Sequence, residues 1–213
     1  LDQLAESLRR LPYEVVDGVL RRTGDSSSVD LNALAKGWIV DRAVAAAMSA
    51  TGAFPAERPR SVVVNAGGDL VHVGEGSVRV GIEDPRRPHD NAPPLDRVVL
   101  AGEALAPSGT ARRGVRIAGR WYGHVIDPRT ARPTSERTRS HRTVCSSSVI
   151  AGDAATADAV ATVLSVLDPD EGLAFVASMS QVAAASGGVA CCIVTDDGEV
   201  HVDDRWRAHR PEG

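Results

Sequence analysis

The sequence predicts an α+β domain, a largely antiparallel mixed sheet packed with helices, and three observations carry the prediction. Apolar residues recur at helical spacing in a few long segments. Between these segments lie short apolar runs joined by tight turns, which favour antiparallel neighbours over a doubly wound parallel sheet. The length of 213 residues suits one domain with a real core and is short for two, so residues 1–213 are read as a single domain.

Taken in order, Leu1, Leu4, Leu8 and Leu11 keep the 3-4-3 spacing of a helix stripe that Pro12 closes. A polar loop at 24–28 leads to a second helix from about residue 32 to 49. Its apolar side holds Leu31, Leu34, Ala35, Trp38, Ile39, Ala43 and Ala46, and Asp30 is its natural N-cap. After a proline-bounded loop at 55–59, residues 62–64 and 70–73 read as two strands joined through Asn65-Ala66-Gly67-Gly68-Asp69. Further strands fall at 78–82, 98–100, 115–118 and 121–126, the last two turning at Gly119-Arg120. Residues 143–150 read as another strand, and 154–167 as an alanine-rich helix ended by Asp168-Pro169. A short helix at 171–178 precedes strands at 190–195 and 199–202, which turn at Asp196-Asp197-Gly198. No repeat of solenoid period is present.

Charge and composition remove several classes of function. Lysine and arginine number 24 against 28 acidic residues, a net of −4 without blocks, so nucleic acid is not an expected partner. No run approaches the ~18 apolar residues of a membrane span, and membrane contact is not indicated. Three Trp, two Tyr and two Phe provide poorly for base stacking or carbohydrate clefts. Of three cysteines, Cys191 and Cys192 are adjacent in an apolar run and make neither a disulfide framework nor a metal knuckle. That usage leans toward a reducing, cytoplasmic setting. The sequence opens at Leu1 without a signal-peptide pattern, so localisation stays open, including a cell-envelope lipoprotein should a signal precede it.

Several residues could carry chemistry. Asp158 and Thr162, four apart on one helix, project oxygens from one face and could share a hard cation such as Mg²⁺; equally, they could serve the helix N-terminus and its packing. Asp30, Asn32 and Lys36 open the second helix, where free N–H groups and a lysine favour an anion, or where a capped helix simply carries a solvated lysine. The glycine pair Gly67-Gly68 allows close ligand approach but lacks dinucleotide-fingerprint spacing. His124, within the strand at 121–126, is either a proton carrier or an ordinary strand histidine. Ser108-Gly109 after Pro107 reads as a turn in preference to a phosphate loop. Neither G-x-x-x-x-G-K-S/T, nor G-x-S-x-G, nor H-E-x-x-H occurs, which leaves a serine hydrolase using Ser108 and His124 without its elbow.

The joint order of these pieces is distinctive. Asp30-Leu31-Asn32-Ala33-Leu34-Ala35-Lys36-Gly37-Trp38 is followed by Asn65-Ala66-Gly67-Gly68-Asp69, by Val80-Gly81-Ile82-Glu83-Asp84-Pro85, and by Pro107-Ser108-Gly109. Then come His124-Val125-Ile126-Asp127-Pro128-Arg129-Thr130-Ala131-Arg132-Pro133 and Ala157-Asp158-Ala159-Val160-Ala161-Thr162. In this the chain resembles the ApbE family, the FAD:protein FMN transferases. The resemblance implies an ApbE-like, T-fold-related domain. It implies that Asp158, Thr162 and the backbone carbonyl of Ala33 hold Mg²⁺. It assigns Asp30, Lys36, Gly67, Gly68, Ser108 and Asp127 to FAD as substrate, and His124 and Asp158 to catalysis. The implied reaction is transfer of the FMN moiety of FAD to a Ser or Thr hydroxyl of an acceptor flavoprotein with release of AMP. FAD hydrolysis to FMN and AMP, and a flavin-binding scaffold without turnover, are the alternatives. Asn32-Ala33 stands where the family has Gly-Gly, Pro107 where it has Thr, Gly123 where it often has a first His, and Ala131 where it has Gly. Part of the family's N-terminal segment, with its aromatic contacts to the isoalloxazine ring, is expected to be missing from this sequence.

Overall fold

The computed structural model describes residues 6, 13–24, 30–50, 59–89, 91–110, 113–136, 142–182 and 188–212. Apart from Glu6, the leucine-striped helix expected at the start lies outside them, as do the loop residues 25–28 and 55–58. In chain order the elements begin with a ribbon of β1 (Tyr13–Val16) and β2 (Val19–Arg22), helix α1 (Ala35–Ser49) and the hairpin β3 (Ser61–Ala66) and β4 (Asp69–Gly74). The ribbon β5 (Val78–Ile82) and β6 (Asp96–Leu100) leads to strand β7 (Ala104–Gly109), the ribbon β8 (Gly114–Ile117) and β9 (Arg120–Gly123), and the short pair β10 (Ile126–Asp127) and β11 (Arg132–Pro133). Strand β12 (Val144–Ala151), helices α2 (Ala154–Leu164) and α3 (Pro169–Val182), strands β13 (Ala190–Thr195) and β14 (Val200–Val202), and helix α4 (Asp204–Ala208) complete it. Among the described residues no helix is long and apolar enough to cross a membrane.

Six strands form the central sheet in the order β14-β13-β12-β7-β4-β3, with every pair antiparallel. Side chains alternate between its faces with period two. Val149, Ala151, Cys191 and Ile193 meet Ala157, Val160, Ala161 and Leu164 of α2 and Val176 of α3. Their sequence neighbours Ile150, Cys192 and Val194 face the other way, against Val98 and Leu100 of β6 and Trp206 of α4. Each fully buried Val, Leu or Ile side chain among them contributes roughly 1.5–3 kcal/mol. The β5–β6 ribbon and α4 therefore form a second layer on the face opposite α2 and α3. The adjacent cysteines are separated by the sheet itself, and burial pushes both thiols up to about 12.

Helix α1 corrects two expectations. Its regular turns begin at Ala35, not near residue 32, because Leu34 and Ala35 both donate to the Leu31 carbonyl in a turn that precedes the helix. Asp30 caps that turn, accepting from the Asn32 N–H at 2.8 Å, and is not the helix N-cap, which falls on Leu34. The buried face is also different. Gly37, Val40 and Val44 face the core, whereas Leu31, Leu34, Trp38 and Ile39 are exposed, Trp38 carrying the Arg42 guanidinium over its ring. The contact with α2 decides this. A Cβ on Gly37 would lie 2.2 Å from the Ala154 carbonyl oxygen, so only glycine permits the helices to touch there.

Three further differences bear on the site. Residues 107–109, expected as a turn, are the end of the central strand β7. Pairing with β12 continues through Gly109, but pairing with β4 stops at Leu105, so Pro107 falls where one edge is already open. The strand expected at 121–126 breaks after Gly123: His124 lies in a bend and the chain pairs again from Ile126. Helix α2 ends at Leu164, and Pro169 opens α3, a first-turn position where its missing N–H costs nothing.

Two outcomes are expected. Gly37→Ala should lower stability by about 1–3 kcal/mol in chemical denaturation, the scale of overpacking against backbone that has nowhere to go. The second concerns His209, whose Nε2 contacts Glu103 at 2.9 Å while its Nδ1 donates to the Arg205 carbonyl at 2.8 Å. The Glu103 bond, against opposing burial, raises the His209 pKa above its ordinary 6.5; burial pushes Glu103 up, but the His209 bond leaves it below its ordinary 4.5. The histidine's contribution is whole below its unfolded pKa and fades as pH rises through the folded one. The glutamate's is whole above its unfolded pKa and fades as pH falls through the folded one. Urea midpoints should therefore be highest near pH 5 to 6, between about the two ordinary pKa values, and decline toward higher pH, with His209→Gln flattening the decline.

Candidate active site

The site begins with the packing of two helices. Asp41 on α1 reaches across to the start of α2, its Oδ1 accepting from the Ala154 N–H at 2.8 Å and its Oδ2 from the Ala155 N–H at 3.0 Å. Asp153 caps the same helix by accepting from the Thr156 N–H at 2.7 Å. So fixed, α2 aims Asp158 back at α1. Asp158 Oδ2 accepts from the Gly37 N–H at 3.3 Å and Oδ1 from Lys36 Nζ at 3.1 Å. Lys36 also donates to Asp69 Oδ2, at the first residue of β4, at 2.7 Å. Asp69 and Asp158 are 0% and 2% exposed.

Electrostatics in this trio follow from burial and partners. Burial pulls the Lys36 pKa down, but the hydrogen bonds and charges of Asp69 and Asp158 more than offset it, so the pKa is raised and the side chain stays an ammonium. Burial raises the Asp69 pKa, with the Asp158 charge adding to it and Lys36 opposing. Asp69 Oδ1 is buried and has no hydrogen-bond partner.

Hard oxygen donors gather beside the trio. The Gly37 N–H would bond the Ala33 carbonyl if the helix continued backward, but it donates to Asp158 instead. No backbone N–H among the described residues takes its place at that carbonyl. Thr162 Oγ1 donates to the Asp158 backbone carbonyl at 3.1 Å, so what the hydroxyl offers elsewhere is lone pairs. Ala33, Asp158 and Thr162 all line one cavity of about 540 Å³, together with Asp30, Asn32, Lys36, Gly67, Pro107, Ser108, Gly109, Arg113, His124, Val125, Ile126 and Val166.

Thus Asp30, Ala33, Lys36, Gly67, Ser108, His124, Asp158 and Thr162, distant in sequence, meet at one cleft. Gly68 does not line it. It borders a neighbouring cavity of about 430 Å³ that shares the wall Gly67, Pro107, Ser108 and Gly109. Asp127 lines neither: its buried carboxylate is gripped by Arg129, through the backbone N–H at 2.9 Å and Nη2 at 2.9 Å, and Arg129 also reaches the Val166 carbonyl. Ser108 is held from beneath by Ser165, whose Oγ donates to Ser108 Oγ at 3.0 Å. His124 is exposed at the rim, with Nδ1 3.2 Å from the Arg113 carbonyl. A carbonyl only accepts, so Nδ1 is the donor in that bond, and Nε2 is the nitrogen left facing outward. Sequence reasoning gave no role to Asp41, Asp69 or Arg113. Asp69 closes one motif of the resemblance and Asp41 lies in Val40-Asp41-Arg42-Ala43, which continues another, and those were their signals; Arg113 had none.

The fold and cleft define a class: an α+β domain that presents oxygen donors and a lysine, carried on two touching helices, to a polar cavity at the open edge of a sheet. A model of the ApbE family matches residues 2–186, and the chain belongs to that family. It is 31% identical over 205 residues to a FAD:protein FMN transferase of Rhodobacter capsulatus, covering 96% of this chain and 35% of that protein. To one of Vibrio cholerae serotype O1 it is 33% identical over 175 residues, covering 80% and 46%. The crystal structure of the ApbE protein of Thermotoga maritima superposes with a TM-score of 0.74 at 25% identity, covering 99% of this chain and 64% of that one. The chain thus spans less than half the length of these two curated relatives.

Because Asp41 supplies acceptors to two otherwise unpaired N–H groups, Asp41→Ala should cost about 1–2 kcal/mol. Thermal denaturation followed by circular dichroism measures it.

Proposed function

We propose that this chain is a single flavin-transferase domain that, with Mg²⁺, moves the FMN moiety of FAD to a Ser or Thr hydroxyl of an acceptor flavoprotein and releases AMP. The observation that carries the reading is the convergence of Lys36 and Asp158, 122 residues apart, at 3.1 Å on the wall of one cavity with Thr162 and the Ala33 carbonyl. The names of the curated relatives support the same activity.

The donor set fits the metal. Carboxylate, hydroxyl and carbonyl oxygens suit Mg²⁺, which keeps part of its shell for water and phosphate, and among the described residues no cluster of three or more His, Cys, Asp or Glu offers a softer alternative. Held by Asp158, Thr162 and the Ala33 carbonyl, Mg²⁺ would supply charge neutralisation on the diphosphate. Lys36 sets a point charge against the same anion. Asp30 shapes the turn ahead of α1, Gly67 keeps the wall low, and Ser108 faces the cavity with a hydroxyl. Gly68 extends that wall, and Asp127 holds the loop after His124 in place. The acceptor hydroxyl attacks the FMN phosphorus, its proton passes to His124 Nε2, and the phosphorus–oxygen bond to AMP breaks.

Incubation with FAD, Mg²⁺ and an acceptor peptide should yield AMP and peptide-bound flavin in equal amounts. Chelation or Asp158→Ala should reduce both by on the order of a hundredfold or more, the scale set by losing an electrostatic contact to a transition state. AMP without labelled peptide would assign hydrolysis instead, and bound FAD with neither product would assign a scaffold.

A further inference from the structure

Lys36 stands between two carboxylates, and the proposed metal needs one of them. Lys36 Nζ lies 2.7 Å from Asp69 Oδ2 and 3.1 Å from Asp158 Oδ1. A divalent cation held by Asp158 would sit beside the ammonium that already occupies one of its oxygens, and like charges so close in a shielded cleft repel. That repulsion favours a lysine that leaves Asp158 without leaving the cavity. Asp69 has the means to keep it: it is fully buried, makes the shorter bond, and carries a second oxygen, Oδ1, with no partner. An ammonium has three donors to turn toward that oxygen.

The choice of residue agrees with such a move. Lys36 is the only lysine in the sequence, every other one of its 24 basic residues being arginine. A compact ammonium on a flexible stem can change partners, whereas a guanidinium fork is committed to one geometry. Asp69 does not line the cavity, so its action passes through the lysine.

Resting on the transferase reading above, we propose that Asp69 is a positioning residue that receives Lys36 when the metal takes Asp158, clearing the metal site while keeping the positive charge beside the substrate. Asp158 keeps its Gly37 N–H bond on the other oxygen throughout.

Calorimetric titration with Mg²⁺ alone tests this in the wild type, Asp69→Asn, Lys36→Met and the double variant. Asp69→Asn leaves the ammonium to compete for Asp158, and Mg²⁺ affinity should fall roughly tenfold, the lower end of what a supporting residue is worth. Lys36→Met should bind at least as tightly as the wild type, and the double variant should match Lys36→Met. Unchanged affinity in Asp69→Asn overturns the inference, as does a double variant as weak as Asp69→Asn, which would put Asp69 on the metal directly. A wild type that takes up no Mg²⁺ overturns the transferase reading and this inference with it. A measurement on the wild type needs no variant: with ¹⁵N-labelled lysine, the single ammonium signal should remain protected from solvent exchange at saturating Mg²⁺. Loss of that protection would show the lysine released to water and would overturn the proposal.

Discussion

Everything at the cleft depends on how closely α1 and α2 approach. Gly37 lets the two backbones touch at Ala154, and Asp41 converts that proximity into two hydrogen bonds to the start of α2. One consequence is electrostatic: an acid on one helix fills the orphan donors of the other. The other is geometric. The Gly37 N–H is drawn away from Ala33 to Asp158, so one contact both orients the carboxylate and frees a carbonyl. Structural and chemical roles are not separable there.

The sheet contributes the complementary wall. Strand β7 loses its β4 neighbour after Leu105, and the left-handed Gly67-Gly68 turn, with φ of 67° and 107°, tucks against Pro107. An open strand edge is ordinarily a liability. Here proline and small residues occupy it, and it faces two adjoining cavities. Ser147, paired with Ser108 across the β7–β12 ladder, turns inward to the Ala161 carbonyl and ties this wall to α2.

Most of the sheet was readable because its strands alternate or run apolar between turn residues, as at β3–β4, β5, β12 and β13. Strand β7 was not, since Ala-Leu-Ala-Pro-Ser-Gly has little intrinsic preference for a strand and takes that form from its neighbours. The β1–β2 ribbon was overlooked although Asp17-Gly18, both at positive φ, is a strong hairpin signal. In α1 the bulky residues misled: close helix contact buried glycine and left Trp38 outside. Spacing puts Asp158 and Thr162 on one helix face but equally fits simple packing, and it was the order of motifs that singled them out. The partners of Asp41 and Asp69, 113 and 33 residues away, leave no local pattern to find.

The neighbouring Cys191 and Cys192 point through opposite faces of the sheet, 0% and 1% exposed, into separate apolar layers. An alkylating reagent can reach neither sulfur until the corresponding layer has come away. Their modification rates therefore clock two distinct openings of the molecule, one on the helical side and one on the β5–β6 side, and the ratio of those rates reveals which half of the core yields first.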